Sequence, residues 1–302
     1  MSQTKKSVSV VIPSWNSEKQ LKQNLRYVYA AAREVDAEIV IVDDASSFDQ
    51  SQAYLQKQAE LGKIRYYANP TNQGFSYTVN RGVDLAKGEI VILLNTDVRP
   101  SKVAFKTCLR LFENPDVFAV TFNSGEAWMG GHWRDGLFQH FKVEPNQHNR
   151  HSLNPSLWAS GGQAAFDKKK WQQLGGMDLL YKPFYWEDVD LGYRAWKRGW
   201  QILWDPKAKV VHDHQKSVIA NNFSKKYITD TAQRNQFLFI WKNIRDRNLL
   251  LNHLINLPRY AFAYPLPFLR ALVKLPKVLQ ARHRESSFIK KTDTEILKLW
   301  SN

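Results

Sequence analysis

The 302-residue sequence contains one cysteine, three methionines and no long apolar run. The lone Cys108 cannot form an internal disulfide, and no Cys/His spacing resembles a structural zinc site, which excludes disulfide-stapled and zinc-finger proteins. The first apolar run, Val8 to Ile12, is too short for the core of a signal peptide, and no run has the length of a membrane-spanning helix. These absences predict a cytoplasmic protein.

Acidic residues are scarce in the last third of the chain. The net charge is +15, and residues 216–302 hold 16 Lys/Arg against 5 Asp/Glu, whereas residues 1–215 hold 27 against 23. A basic tail suits nucleic acid or an anionic membrane surface, and composition does not separate the two. Because no recognised nucleic-acid motif is present, we expect no nucleic-acid partner.

Short apolar runs that alternate with helical segments are abundant. With 43% apolar and 13% aromatic residues, the chain can bury a sizeable core. Strands separated by helices predict parallel crossovers and a doubly wound, Rossmann-like, mostly parallel α/β sheet. The predicted strands cover about residues 7–12, 38–42, 64–67 and 90–94, and the predicted helices cover about residues 18–34, 48–61 and 75–86.

Polar side chains follow two of these strands. Asp43 and Asp44 come after the second strand, and Asn95 and Asp97 come after the fourth. At the carboxyl ends of parallel strands they would share one rim, where ligands of open α/β sheets bind and where oxygen atoms can hold a divalent cation against phosphates. Helix capping and turn formation are the alternatives.

Eight short motifs follow one another over roughly residues 7–245. They are Val10–Asn16, Val42–Ser46, Asn72–Phe75 with Asn80–Gly82, Leu93–Asp97, Gly161–Phe166, Leu174–Asp178, Trp186–Leu191 and Val211–His212. Each motif is weak alone, but eight in the right order and spacing are specific. Together they resemble the successive motifs of family 2 glycosyltransferases, and the branch they are most similar to is the bacterial rhamnosyltransferase-like enzymes that build cell-surface polysaccharides.

The resemblance implies a GT-A fold over residues 1–215, with a nucleotide-binding half at about 1–115 and an acceptor-binding half at about 116–215. A basic helical extension, residues 216–302, follows. The implied reaction moves a sugar, with inversion, from a UDP- or dTDP-sugar to a hydroxyl of a glycan or lipid-linked glycan. Rival hypotheses are a nucleotidyltransferase, whose Gly-rich signature is missing, and a catalytically impaired nucleotide-sugar-binding homologue.

The resemblance also implies the residues of a donor site. Asp44 would accept a hydrogen bond from the N3–H of uracil or thymine, which a fixed carboxylate suits. Asn80 and Arg81 would lie near the diphosphate. The alternative for this segment is an ordinary turn glycine, Gly74, and a solvated arginine, Arg81. The implied donor-binding residues are Pro13, Ser14, Trp15, Asp44, Gly74, Asn80, Arg81, Asn95 and Thr96.

A divalent metal, Mn²⁺ or Mg²⁺, is the implied cofactor. Asp97 would be its carboxylate ligand, since Asn95 stands where family members often carry an acid. His212 resembles the distal ligand, with His214 as the alternative, and imidazole favours Mn²⁺. Taken alone, a histidine at the end of a strand is more often structural.

The acidic run at Glu187–Asp190 precedes a predicted helix and by resemblance contains the catalytic base, Asp188. The alternative is acidic capping of the helix dipole, and a helix N-terminus would lower the pKa of a carboxylate and weaken a base. Gly161, Gly162, Trp186 and Glu187 are the implied acceptor or sugar pocket.

Two further regions carry predictions of their own. Residues 128–133 and 144–154 are predicted to be long loops that form acceptor-binding or lid elements. After a predicted helix at about 227–245, residues 249–279 mix apolar patches with prolines and cations. They predict peripheral attachment to an anionic surface, the inner face of the cytoplasmic membrane. A tail packed on the domain, or a homodimer interface, is the alternative.

Overall fold

A nine-stranded mixed sheet lies at the centre of the protein in a computed structural model that describes residues 6–125, 128–147, 149–213 and 222–300. The strand order is β3-β2-β1-β4-β10-β6-β11-β5, with β9 paired to β11. The strands of this sheet are β1 (Val8–Ser14), β2 (Glu38–Asp43), β3 (Arg65–Ala68), β4 (Ile90–Leu94), β5 (Val98–Pro100), β6 (Val117–Asn123), β9 (Asn154–Pro155), β10 (Gln163–Asp167) and β11 (Gln201–His212).

The first four strands pair in parallel and confirm the predicted doubly wound half of the sheet. Helices α1 (Glu18–Arg33), α2 (Ser51–Glu60) and α3 (Phe75–Leu85) connect them. The apolar residues of β1, β2 and β4 are buried on both faces. In this register Ser14 pairs with Asp43, so the carboxyl ends of β1 and β2 meet.

Antiparallel pairing appears in the second half of the sheet. Strand β10 lies antiparallel between β4 and β6, and Gln163 pairs with Leu94. Strand β11 runs parallel to β6 and antiparallel to β5, where His212 pairs with Val98. These registers place the start of β10 and the end of β11 beside the polar residues that follow β4.

The prediction of a loop over residues 128–133 is wrong. Strands β7 (Trp128–Arg134) and β8 (Leu137–Val143) form a separate antiparallel hairpin. A side chain at Gly130 would collide with Phe141, and one at Gly131 would collide with Leu157. The two glycines therefore let large neighbouring side chains lie against the strand, which compensates for their low strand propensity.

The remaining α-helices of the described residues include a C-terminal group that packs on the sheet domain. Side chains from these helices, among them Phe237, Phe239, Ala271 and Val278, join the same apolar core as Val11 and Leu93. Within the described residues, none of the helices is long and apolar enough to cross a membrane. The helices are α4 (Ala104–Leu109), α5 (Lys168–Leu174), α6 (Glu187–Lys197), α7 (Lys225–Asn243), α8 (Arg247–Ala263), α9 (Pro265–Val273), α10 (Leu275–Glu285) and α11 (Asp293–Leu297).

Candidate active site

Hydrogen bonds join the loops that follow β1 and β2. The backbone N–H of Asp44 donates to the carbonyl of Ser14 at 2.8 Å. The side chain of Asn16 accepts a bond from the N–H of Phe48 at 3.1 Å. Helix α2 begins at Ser51, three residues later than predicted, and Oδ1 of Asp49 accepts a hydrogen bond from the N–H of Ser51 at 2.9 Å. Pro13 and Ser14 lie at the end of β1, and Trp15 follows them, half-buried at the same edge.

Asp44 is a buried carboxylate that its surroundings hold rigidly. Its Oδ1 accepts hydrogen bonds from Asn69 Nδ2 at 2.6 Å and from the N–H of Gln73 at 2.8 Å, and its Oδ2 accepts one from the N–H of Gly74 at 2.8 Å. A carboxylate offers about four acceptor positions, so Oδ2 keeps one for a ligand. The predicted contact with a pyrimidine N3–H is compatible with this geometry and stays a prediction.

The side chains of Asn80 and Arg81 bind the protein itself. Nδ2 of Asn80 donates to the carbonyl of Met177 at 2.8 Å, and Oδ1 accepts from the N–H of Met177 at 2.9 Å. Arg81 donates to the carbonyl of Ala68 at 2.9 Å and to the side chain of Asn69. These bonds favour structural roles, and a direct contact of either residue with a diphosphate stays a prediction.

Asp97 and His212 face each other across β5 and β11. Nε2 of His212 lies 3.3 Å from Oδ1 of Asp97, and within the described part of the chain that buried oxygen accepts no hydrogen bond. Nδ1 of His212 lies 3.0 Å from Oε1 of Gln163, whose Nε2 donates to Ser124 at 3.1 Å. Because the Gln163 oxygen can only accept, Nδ1 of His212 carries a proton, and Nε2 is the ring nitrogen that lies toward Asp97.

This pair fits a divalent cation that also binds phosphate. A carboxylate oxygen and an imidazole lone pair repel each other unless a proton or a cation lies between them, and together they suit Mn²⁺. No group of three His, Cys, Asp or Glu side chains able to hold a metal occurs in the residues described. A metal would therefore need phosphate oxygens and water as its other ligands. The alternative ligand, His214, lies outside the described residues.

Three consecutive residues connect this pair to the predicted base. The N–H of Gly161 favours the charged form of Asp188, and Gly162 accepts a hydrogen bond from the N–H of Asn95 at 2.8 Å. A side chain at Gly162 would collide with the Asn95 amide, so only glycine allows this approach. Gln163 orients His212. The carbonyl of Thr96, next to Asn95, accepts from Nδ2 of Asn24 at 2.8 Å.

Glu187 and Asp188 begin α6 and have no cationic partner among the described residues. Burial raises the pKa of both carboxyl groups, and the charge of Asp188 raises the pKa of Glu187 further. For Asp188 the N–H groups of Val189 and Gly161 oppose this shift without cancelling it. The lowering expected at a helix N-terminus is therefore outweighed by desolvation, which suits a general base.

The two residues directly before α6 have a strained backbone conformation. Tyr185 and Trp186 have φ angles of 69° and 77°, in a region that residues other than glycine seldom adopt. Trp186, predicted to line the acceptor pocket, is buried against His140 and Phe239. Such strain persists only where the surroundings enforce it.

Asn235, on α7, holds the loop before α6 in this strained conformation. From the sequence alone, no role was predicted for Asn235. The fully buried Nδ2 of Asn235 donates to the carbonyls of Tyr181, Phe184 and Tyr185 at 2.8, 3.0 and 2.9 Å. Arg234 adds a bond of 2.6 Å to the carbonyl of Lys182. The motif around Arg234 resembles the family's C-terminal helix, but only the fold brings it to the loop before Asp188.

Asp190, two residues beyond Asp188, belongs to a buried ionic cluster. Its Oδ2 accepts from Arg194 Nε at 2.7 Å and from Lys242 Nζ at 2.9 Å, and Tyr181 donates to Oδ1 at 2.8 Å. Burial opposes ionisation of this carboxyl, but the charges of Arg194 and Lys242 outweigh it and hold its pKa well below the usual range. Lys242 also pairs with Asp178 at 2.7 Å. This cluster joins α6 to α7.

The model of the family described as "Glycosyl transferase family 2" matches residues 9–174, more than half of the chain. The chain belongs to this family. The match includes the loops after β1, β2 and β4 and the segment Gly161–Gln163, and it ends before Asp188 and His212.

Curated relatives match this family 2 glycosyltransferase over short segments. It is 34% identical over 88 residues to an N-acetylglucosaminyl-diphospho-decaprenol L-rhamnosyltransferase of Mycobacterium tuberculosis. This alignment covers 29% of this chain and 26% of that protein. It is 35% identical over 98 residues to an undecaprenyl-phosphate 4-deoxy-4-formamido-L-arabinose transferase of Pseudomonas syringae pv. syringae. This alignment covers 31% of this chain and 29% of that protein. The match thus spans less than a third of either relative.

A solved structure extends the similarity to most of the fold. The family 2 glycosyltransferase aligns with GalNAc-T7, described with UDP, GalNAc and Mn²⁺, at a TM-score of 0.67 and 17% identity. The alignment covers 81% of this chain and 49% of that chain. The predicted GT-A fold is therefore confirmed.

Proposed function

We propose that this protein transfers a sugar, with inversion, from a UDP- or dTDP-sugar to a hydroxyl of a lipid-linked glycan in cell-surface polysaccharide synthesis. The observation that carries the proposal is the segment Gly161–Gln163. Its consecutive residues contact the surroundings of Asp188, the Asn95 backbone and His212. One short segment thus links a carboxylate of raised pKa to a pair that suits a metal and to the end of β4.

The donor nucleotide would bind at the carboxyl ends of β1, β2 and β4. The free acceptor position on Oδ2 of Asp44 suits the imide N–H of uracil or thymine. Adenine would bring its ring nitrogen acceptor, N1, to the same position, which disfavours ADP. Guanine also carries a ring N–H, so the preference for UDP or dTDP over GDP rests on the family resemblance. Ser14 and Asn95, at the ends of β1 and β4, would flank the nucleotide.

In the proposed reaction Asp188 accepts the proton of the acceptor hydroxyl. The oxygen forms a bond to the anomeric carbon as the bond from that carbon to the diphosphate breaks, and the electron pair leaves with the diphosphate. The raised pKa of Asp188 keeps it basic enough for this transfer. Asn235 holds the preceding loop and is a positioning residue in this scheme.

Asp97 and His212 would hold a divalent cation, and Gln163 would keep the His212 lone pair directed at it. Bound there, Mn²⁺ or Mg²⁺ would neutralise the charge that develops on the leaving diphosphate. GalNAc-T7, whose structure is described with Mn²⁺, supports this proposal at the level of the fold.

The names of both curated relatives include a polyprenyl carrier, decaprenol in one and undecaprenyl phosphate in the other. We therefore propose a lipid-linked acceptor and peripheral attachment to the inner face of the cytoplasmic membrane.

Thermal unfolding with UDP, dTDP, GDP or ADP, each with Mn²⁺ or with EDTA, tests the donor site, because a bound ligand raises apparent stability by mass action. The proposal predicts a shift confined to UDP or dTDP and abolished by EDTA. Gln163→Leu should weaken Mn²⁺ binding about 10- to 100-fold. A shift with ADP alone would contradict the assignment of Asp44, and a shift with GDP alone would contradict the proposed UDP or dTDP donor.

A further inference from the structure

The outer side of α8 and α9 is apolar although it faces solvent. The inner side of α8 is fixed to the β7–β8 hairpin: Nδ1 of His253 lies 2.7 Å from the carbonyl of Gly136, and Tyr260 donates to the carbonyl of Asp135 at 2.8 Å. These contacts set the orientation of α8, so the residues on its opposite side are held toward solvent.

Four outward residues of α8 recur at intervals of four, three and four positions, which places them in one stripe along the helix. Ile255 is 77% exposed and Phe262 is 91% exposed. Helix α9 continues the apolar surface at similar spacing. The outward apolar residues, called the apolar face below, are Leu251, Leu254, Ile255, Pro258, Phe262, Leu266, Leu269 and Val273. A monomeric soluble protein rarely exposes such a contiguous patch unless it binds something.

The charges around the apolar face indicate what covers it. Residues 247–285 contain seven Lys/Arg and a single acid, Glu285. Glu285 is already paired with Arg198 at 2.8 Å. Arg247, Arg259 and Arg270 are exposed on the same two helices as the face. In a symmetric contact with a second copy these cations would oppose one another, whereas an anionic lipid surface would attract them.

We propose that the apolar face of α8 and α9 inserts into the headgroup region of an anionic lipid bilayer. An interfacial helix of this kind buries its apolar side about 5–10 Å below the surface while cations bind lipid phosphates. The proposal deepens the peripheral attachment given above and rests on the proposed function only for the membrane-borne acceptor. The interaction needs neither donor nor metal.

Vesicle flotation of the full chain tests the proposal, with phosphatidylcholine vesicles compared with vesicles that also contain phosphatidylglycerol. The chain should float with the anionic vesicles, and Phe262→Asp combined with Ile255→Asp should lower its partition coefficient at least about tenfold. Both side chains are exposed, so the replacements leave the core intact. Leu61→Asp, at an exposed position after α2, is the matched control and should float like the wild type.

Removal of the exposed cations is a second, independent test of binding to anionic vesicles. Arg259→Gln with Arg270→Gln should weaken flotation roughly fivefold for each cation removed, and high salt should have the same effect. Equal flotation of the Asp double variant and the wild type would overturn the proposal. So would a wild-type chain that does not float and forms a dimer in sedimentation, with the dimer lost in the Asp double variant.

Failure of this inference can be told from failure of the proposed function. Nucleotide-dependent thermal shifts report the donor site in solution, without vesicles, and the Asp double variant should retain them unchanged. A chain that binds UDP with Mn²⁺ but does not float would overturn only the membrane-binding face. A chain that floats but binds no nucleotide would overturn only the donor site.

Discussion

Two acids in the first turn of α6 have opposite environments. Asp190 contacts Arg194 and Lys242 and has a strongly lowered pKa, whereas Asp188, two residues earlier, has no cationic partner among the described residues and a raised pKa. Successive residues of a helix point about 100° apart, so one acidic run faces two surroundings. Environment, and not residue type, separates an acid that holds the fold together from one that can do chemistry.

The largest expected effect comes from Asp188→Asn, which removes the proposed base. We expect kcat to fall by about 10²- to 10⁴-fold, while nucleotide binding and folding remain. Initial rates of transfer and titration calorimetry with UDP would measure the two quantities separately. Asp84→Asn, at an exposed position on α3, is the control. Transfer by Asp188→Asn at near wild-type rate would remove Asp188 from the mechanism.

Asp190→Asn should act on stability instead. It leaves the buried cations Arg194 and Lys242 without their shared carboxylate, which costs about 3–5 kcal/mol. Because the folded pKa of Asp190 is lowered, its contribution is fully present above its unfolded pKa and is lost as the pH falls through the folded value. Urea unfolding at neutral and at acidic pH measures both effects. A loss below about 1 kcal/mol at neutral pH would argue against a structural role.

Asn235→Leu tests whether the loop before Asp188 needs the amide on α7. The two N–H groups that are shared among three carbonyls disappear, at about 1 kcal/mol for each N–H. Relaxation of Tyr185 and Trp186 should then lower kcat more than it changes KM. Gln236→Leu is the comparison on the same helix, since it loses one bond of 2.8 Å to Phe138. If both variants reduce kcat equally, the effect belongs to α7 as a whole.

Glu187→Gln should give the smallest effect, on the pH dependence of stability. The raised pKa of Glu187 means that the folded state keeps a proton that the unfolded state releases, so wild-type stability falls as the pH rises from the unfolded value to the folded one. The variant should keep only the part of this slope that Asp188 contributes, and it should gain about 1–2 kcal/mol relative to wild type between pH 5 and 8. Denaturation midpoints over that range would measure it, and parallel curves would contradict it.

Local patterns were sufficient to predict the first half of the fold. The buried runs of β1, β2 and β4 are read directly from residues close in sequence, and the sheet register then brings Ser14 and Asp43 together. The start of α2 was predicted three residues too early. The loop before it is held by bonds to Asn16, more than thirty residues away, and these leave no local pattern in the sequence. The hairpin at Trp128–Arg134 was missed because its glycines are compensated by neighbouring side chains.

Motif positions predicted which residues to consider for the candidate site, but not the contacts that give those residues different environments. Asn235 and Gln163 act through partners about fifty residues away, and no periodicity reveals such contacts. Asn80 was expected at the donor phosphates, whereas its amide bonds to Met177. The sequence Glu187–Asp190 reads as one capping run, because Lys242, one of the two cations that distinguish Asp190 from Asp188, comes from α7.

The most direct test is a titration of the side-chain carboxyl carbons of Asp188 and Asp190 by NMR, with each signal assigned from the corresponding Asn variant. The account predicts that Asp188 titrates above the ordinary range of an aspartate and that Asp190 stays ionised far below it. If Asp188 also titrates below the ordinary range, the helix dipole determines both values, and Asp188 is a capping residue and not the base.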